Sequence, residues 1–184
     1  MTNFSTLTEN NTLFLIIDIQ KKLLNAVFNK DLVKKKSSTI AKSISILEIP
    51  TIITEQYPQG LGETVASIKD SLNDATYYIK TNFNAVDDEK LLNELEQTGR
   101  KNIVVMGIET HICVYQTVSA LLQKGYNVTV ASDACGSRSA EEYHGGLLIM
   151  KEYGAQIKST EMILFELLKT ARHPKFKEIQ ALIK

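Results

Sequence analysis

Short apolar runs rich in β-branched residues alternate with helix-patterned segments along the chain, and this alternation restricts the fold more than any other feature. "TLFLII" (12–17) is uninterrupted by charge, as a strand buried on both faces must be. "DLVKKKSSTIAKSISILEI" (31–49) follows, with Leu32, Ile40, Ile44 and Leu47 near helical spacing and Pro50 as its stop. "TIIT" (51–54) and "ATYYIK" (75–80) read as the second and third strands. "DDEKLLNELEQTG" (87–99) is a helix with acidic residues at its start and Gly99 past its end. "NIVVMGI" then "THICVYQTVSALLQKG", "NVTVAS" then "SAEEYHGGLLIMKEYG", and "AQIKS" then "EMILFELLKTA" complete the pattern. Strict alternation argues a parallel sheet covered by helices on both faces, so the fold is α/β, a three-layer Rossmann-like sandwich.

Neither repeats nor linker-like tracts divide the chain, and 184 residues suit one domain, read as 1–184. Lys plus Arg number 21, as do Asp plus Glu, so the net charge of zero points to no basic surface for nucleic acid. No apolar run is long enough to span a bilayer, and the polar start "MTNFSTLTENN" lacks the layout of a signal peptide. Two cysteines, Cys113 and Cys135, cannot build a disulfide scaffold. The expectation is a cytoplasmic protein with a small-molecule partner and no membrane.

In an open parallel sheet, sites form outside the carboxyl ends of the strands. Strand one ends on Asp18, strand three on Lys80, and strand four runs through Gly107 toward Cys113. Each alone has an ordinary reading: a turn or cap aspartate, a solvated strand-end lysine, a packing thiol. Together their chemistries complete one another. A helix start and a nearby ammonium favour a thiolate, and a carboxylate can take the thiol proton and return it to a leaving nitrogen. His144, mid-helix in the fifth αβ unit, and His173, near the C-terminal tail, compete poorly for a base role, whereas His111 is a candidate for the pocket wall. Cys135 reads as a packed loop thiol and Arg138 as a residue holding that loop. "TEQYPQGLG" (54–62) offers Glu55, Gln56 and Tyr57 as a pocket rim or subunit contact; its glycines do not follow a phosphate-loop pattern, so no nucleotide cofactor is indicated.

"FLIIDIQ", "YIKTNFNAV" and "VVMGIETHICVYQTVSALLQKGYNVTVASDACGSR" resemble the three motif blocks of the isochorismatase-like cysteine hydrolase superfamily. With "TEQYPQGLG" and the tail "FELLKTARHPKFKEIQALIK", the chain is most similar to the branch called isochorismatase domain-containing proteins. The resemblance implies a six-stranded parallel sheet, assembly as a homo-oligomer, and an Asp18–Lys80–Cys113 triad. It also implies a cis peptide at Ile108–Glu109 that sets the Glu109 N–H beside that of Cys113 as an oxyanion hole. Gln20, Tyr57, Phe83 and His111 are the candidates for the substrate wall. Nicotinamidases of this superfamily bind a metal through an Asp-x-His pattern where this chain reads "EQY", so no metal is expected. Retention of Cys113 points to hydrolysis of a small amide or related C–N bond through a thioester. The alternatives are vinyl-ether hydrolysis of the isochorismatase type, which does not need the thiol, and a non-catalytic oligomeric interaction protein.

Overall fold

The computed structural model describes residues 5–184. Residues 1–4, the first part of the polar start discussed above, lie outside the described residues. Six strands form one parallel sheet: β1 (Thr12–Ile17), β2 (Thr51–Gln56), β3 (Thr76–Lys80), β4 (Asn102–Ile108), β5 (Asn127–Gly136) and β6 (Gln156–Lys158). Their spatial order is β3-β2-β1-β4-β5-β6, so the chain builds outward from β1, then returns to its other side with β4. The order reverses between β1 and β4, which puts the ligand crevice of such a sheet at the carboxyl ends of those two strands.

The helices are α1 (Lys21–Ala26), α2 (Lys30–Ile46), α3 (Pro58–Leu61), α4 (Ala66–Lys69), α5 (Glu89–Gln97), α6 (Tyr115–Gln123), α7 (Ala140–Glu152), α8 (Thr160–Leu168) and α9 (Phe176–Ile183). Helix α2 packs against α4, α8 and α9, while α6 packs against α7. Right-handed crossovers on the two sides of β1 place these groups on opposite faces and give the expected three layers. None of these helices is long and apolar enough to cross a membrane.

Both central strands are buried along their whole length, and their bounds coincide with the apolar runs that announce them. Ile40 and Ile44 of helix α2, and Leu47 at its end, are buried as expected, and Val33, Ser37 and Ala41 join them on the same stripe, whereas Leu32 is 45% exposed. Strand β5 runs to Gly136, past its expected end near Ser132, because a register irregularity opposite Val105 and Gly107 lets it resume pairing at Cys135 and Gly136. Cys135 is therefore a fully buried strand residue and not a loop thiol. The tail carries α9, anchored by buried Ile179, where no helix is expected from the sequence.

Gly107 is the closest approach between the two central strands. A Cβ there would stand 2.5 Å from the Ile17 carbonyl oxygen and 2.7 Å from Ile17 Cβ. Neither atom can retreat within a paired sheet. Gly107→Ala is expected to destabilise the protein by about 1–3 kcal/mol through overpacking, seen as a lower urea midpoint at an unchanged m-value.

Candidate active site

Strand β1 ends in a forced turn. Asp18 takes a left-handed backbone conformation (φ 53°) while its N–H still bonds the Thr54 carbonyl at 3.1 Å. Its carboxylate is fully buried and held from two sides. Thr54 Oγ1 donates to Oδ1 at 2.7 Å, and Lys80 Nζ donates to Oδ2 at 2.6 Å. Lys80, at the end of β3, is 4% exposed; its ammonium also meets Gln56 Oε1 at 2.7 Å, the Asn82 carbonyl at 3.2 Å and the Phe83 carbonyl at 3.5 Å. Three N–H bonds are thus shared among four acceptors, and the cation is saturated from within the chain.

Gln20 is fully buried, and its role is to tie rather than to line. Its Oε1 accepts from the Gln56 N–H at 2.7 Å, and its Nε2 donates to the carbonyls of Gln56 and Gly62. Glu55 closes the same loop by accepting from the Thr64 N–H at 2.7 Å and Oγ1 at 2.8 Å. The Tyr57 ring is 56% exposed and lies over Gly60, where any Cβ would stand 2.5 Å from ring carbons. Phe83 is 54% exposed, and only its carbonyl reaches the buried ammonium.

Strand β4 delivers the thiol through a second forced turn. Glu109 is left-handed (φ 54°, ψ 74°), and its carbonyl accepts the N–H groups of Ile112 at 2.9 Å and Val114 at 3.3 Å. A single wide π turn, Thr110–Val114, follows before α6 begins. Two expectations are corrected here. Among the described residues no peptide bond is cis, Ile108–Glu109 included; the reversal is made by the left-handed Glu109 instead. Cys113 lies in the π turn that precedes α6, so it does not occupy the first turn of a regular helix.

The Isochorismatase domain model matches residues 12–162. The chain belongs to the isochorismatase family. Isochorismatase domain-containing protein 2 of Xenopus laevis is 36% identical over 96% of this chain and 85% of its own length. The solved structure of MAR1 ribonuclease from Caenorhabditis elegans superposes with a TM-score of 0.92 at 34% identity, covering 97% of this chain and 92% of that one. The YcaC gene product of Escherichia coli, described as an octameric hydrolase of unknown specificity, superposes with a TM-score of 0.89 at 25% identity, covering all of this chain and 97% of that one.

In this family member Asp18, Lys80 and Cys113 form one continuous buried group. The Cys113 thiol is pushed up to about 12, mainly by burial and then by the Asp18 charge, against the lowering pull of Lys80. Burial thus acts on the thiol in the direction opposite to the one expected from a helix start and a nearby ammonium. Burial outweighs the single cation because that cation is already spent on the carboxylate. Thr54 is the participant that sequence reasoning missed, and Gln56 reaches the site through its amide rather than as a rim. A polar residue ending each apolar run was the available signal.

His111 turns away from the thiol. Its Nδ1 lies 3.1 Å from Ser137 Oγ and 3.4 Å from Glu109 Oε2, and its Nε2 lies 3.6 Å from Glu142 Oε2. Arg138 Nη2 donates to Glu109 Oε1 at 3.2 Å. Among the described residues no three His, Cys, Asp or Glu side chains gather as metal ligands.

Lys80→Met would strand the Asp18 carboxylate in the interior. A loss of about 3–5 kcal/mol is expected, measured by chemical denaturation. For the wild type, the Cys113 alkylation rate with iodoacetamide should climb about tenfold per pH unit from 7 to 10 without the plateau that an ordinary thiol shows near ~8.5. The sign for stability follows. The folded thiol holds its proton more tightly than the unfolded one, so its contribution is complete below the unfolded value and is lost as pH rises toward about 12.

Proposed function

We propose that this chain is a cysteine-dependent hydrolase of a small amide or related C–N bond, working through a thioester and needing neither metal nor cofactor. The observation that carries this reading is the Asp18 carboxylate, fixed by Lys80 at 2.6 Å and Thr54 at 2.7 Å, and near enough to the Cys113 thiol for its charge to push that thiol up. A base so held cannot drift, and its neighbour is the one nucleophile in the group.

Cys113 Sγ bonds to the carbonyl carbon as its proton passes to the Asp18 carboxylate, so a thiolate never waits in the site. The carbonyl oxygen takes the negative charge and is met by the backbone N–H groups of Glu109 and Cys113. Collapse breaks the C–N bond, and the leaving nitrogen receives the proton from Asp18. Water then attacks the thioester, gives one proton to Asp18, and releases the acid; that proton returns to Sγ. Lys80 keeps the carboxylate in place and offsets its charge at each stage.

A neutral substrate suits the charges. Lys80 is occupied by four oxygens, which leaves the buried cation without a free N–H to receive a carboxylate or a phosphate. The relative named MAR1 ribonuclease makes RNA a necessary control, but a depth that leaves Cys113 5% exposed favours a small molecule. The octameric relative supports assembly of this chain as a homo-oligomer. Residues 1–184 are read as one functional domain, and two buried free thiols accord with an intracellular setting.

Cys113→Ala decides the matter against a panel of small primary and secondary amides, with isochorismate and RNA as further arms. Amide turnover should fall by about 10³-fold or more while the fold persists. Amide turnover that persists in the variant would sink the nucleophile, isochorismate turnover that survives it would point to ether hydrolysis, and wild-type inertness toward all three would favour an interaction protein.

A further inference from the structure

Glu109 is an unlikely residue for its own backbone. It sits at φ 54°, where a glycine is ordinarily found, and it is the hinge between β4 and the turn that carries Cys113. The residue is 8% exposed, so its carboxylate is drawn into the protein although a solvated position would suit a charge better. What holds it there is a side-chain grip. Arg138 Nη2 donates to Oε1 at 3.2 Å, and the His111 ring lies 3.4 Å from Oε2 without hydrogen-bond geometry, leaving that oxygen buried without a hydrogen-bond partner among the described residues.

The grip is anchored on rigid neighbours. His111 is fixed by buried Ser137, whose carbonyl accepts the Phe28 N–H at 3.0 Å. Helix α7 presses on the same turn: a Cβ at Gly146 would stand 3.0 Å from His111 N, His111 Cα and the Thr110 carbonyl carbon. The backbone of 110–111 is therefore closely packed against α7, and the residue before it, Glu109, is held by Arg138.

We propose that Glu109 is a positioning residue: held by Arg138, its carboxylate fixes the left-handed turn that aims the Cys113 thiol and the Glu109 and Cys113 N–H groups at one carbonyl. The inference rests on the nucleophile reading above. Burial of a carboxylate next to a nucleophile is otherwise counterproductive, since the Glu109 charge is one of the influences that push the thiol up. A lysine or amide in its place would spare that cost, so the retained carboxylate is explained by geometry, with Arg138 its fitted partner.

The test separates charge from grip. Glu109→Gln and Glu109→Ala both remove the charge, but only the amide still accepts from Arg138. Full-length protein is treated with acrylamide, a small amide whose C=C takes up the thiol S–H, sulfur at its terminal carbon and hydrogen at the carbon beside the carbonyl, so that its rate reads how well the thiol is placed. Adduct formation at Cys113 is followed by mass spectrometry with buried Cys135 as internal reference. Glu109→Ala should react about a hundredfold more slowly than Glu109→Gln, the scale on which a misplaced reacting group loses rate. Arg138→Ala should also slow the reaction, and Arg138→Lys should recover part of it. Equal rates in the Glu109 pair would overturn the proposal. So would a wild-type rate in Arg138→Ala, which decides alone if Glu109→Ala fails to fold, because the Arg138 side chain is 63% exposed and can be trimmed without disturbing the core. Labelling needs no substrate, so this outcome is independent of whether Cys113→Ala abolishes amide turnover.

Discussion

The ion pair between Asp18 and Lys80 spans three strands, and the site is arranged around that reach. Strands β1 and β3 are separated by β2, so their axes are about 10 Å apart at ordinary strand spacing. A short carboxylate on the inner strand and a long ammonium on the edge strand can close that gap; the reverse placement could not present the carboxylate to β4. Burying two charges costs more than their attraction returns unless every remaining valence is met. Strand β2 supplies what is missing, with the Thr54 hydroxyl on the carboxylate and the Gln56 amide on the ammonium, while two loop carbonyls complete the cation. The pair is thus a property of three strand ends in register and collapses if any one shifts.

The two strands at the reversal of sheet order both end on a non-glycine residue in the left-handed region, Asp18 at φ 53° and Glu109 at φ 54°. Each such residue costs roughly 1–2 kcal/mol. Neither has a local reason to accept it: no side-chain cap or glycine substitute is involved. The shared effect is to stop a fully buried strand abruptly. Strain at two neighbouring strand ends, with an ion pair on each residue, marks that edge of the sheet as the place where geometry matters most.

Much of this was legible because parallel sheets leave few choices. Continuous apolar runs such as "TLFLII" and "NIVVMGI" can only be central strands, and the residues that end them must then share an edge. What was illegible depends on side-chain direction after the strand stops. Gln20 and Tyr57 both follow a strand end closely, yet one is fully buried as a tie between loops and the other lies on the surface over Gly60. Period and composition do not distinguish them, because the difference lies in turn dihedrals set by distant contacts. Leu32 and Val33 show the same limit within a helix, where the first apolar residue of the run faces out and its neighbour, 100° further round, joins the buried stripe.

The protonation state of Cys113 was the least legible property, since it is a balance of opposed terms. A cation alone would have favoured a thiolate, but the cation arrives already bound to a carboxylate, so the thiol meets a nearly neutral pair in a desolvated place and keeps its proton. This changes what the site does at rest. A standing thiolate is open to oxidation and to any passing electrophile. In the proposed hydrolase, a thiol that surrenders its proton only as a carbonyl enters would be reactive toward a substrate that fits and inert otherwise. The saturated lysine keeps the Asp18 carboxylate fixed, while its pull on the thiol is outweighed by burial and by the Asp18 charge.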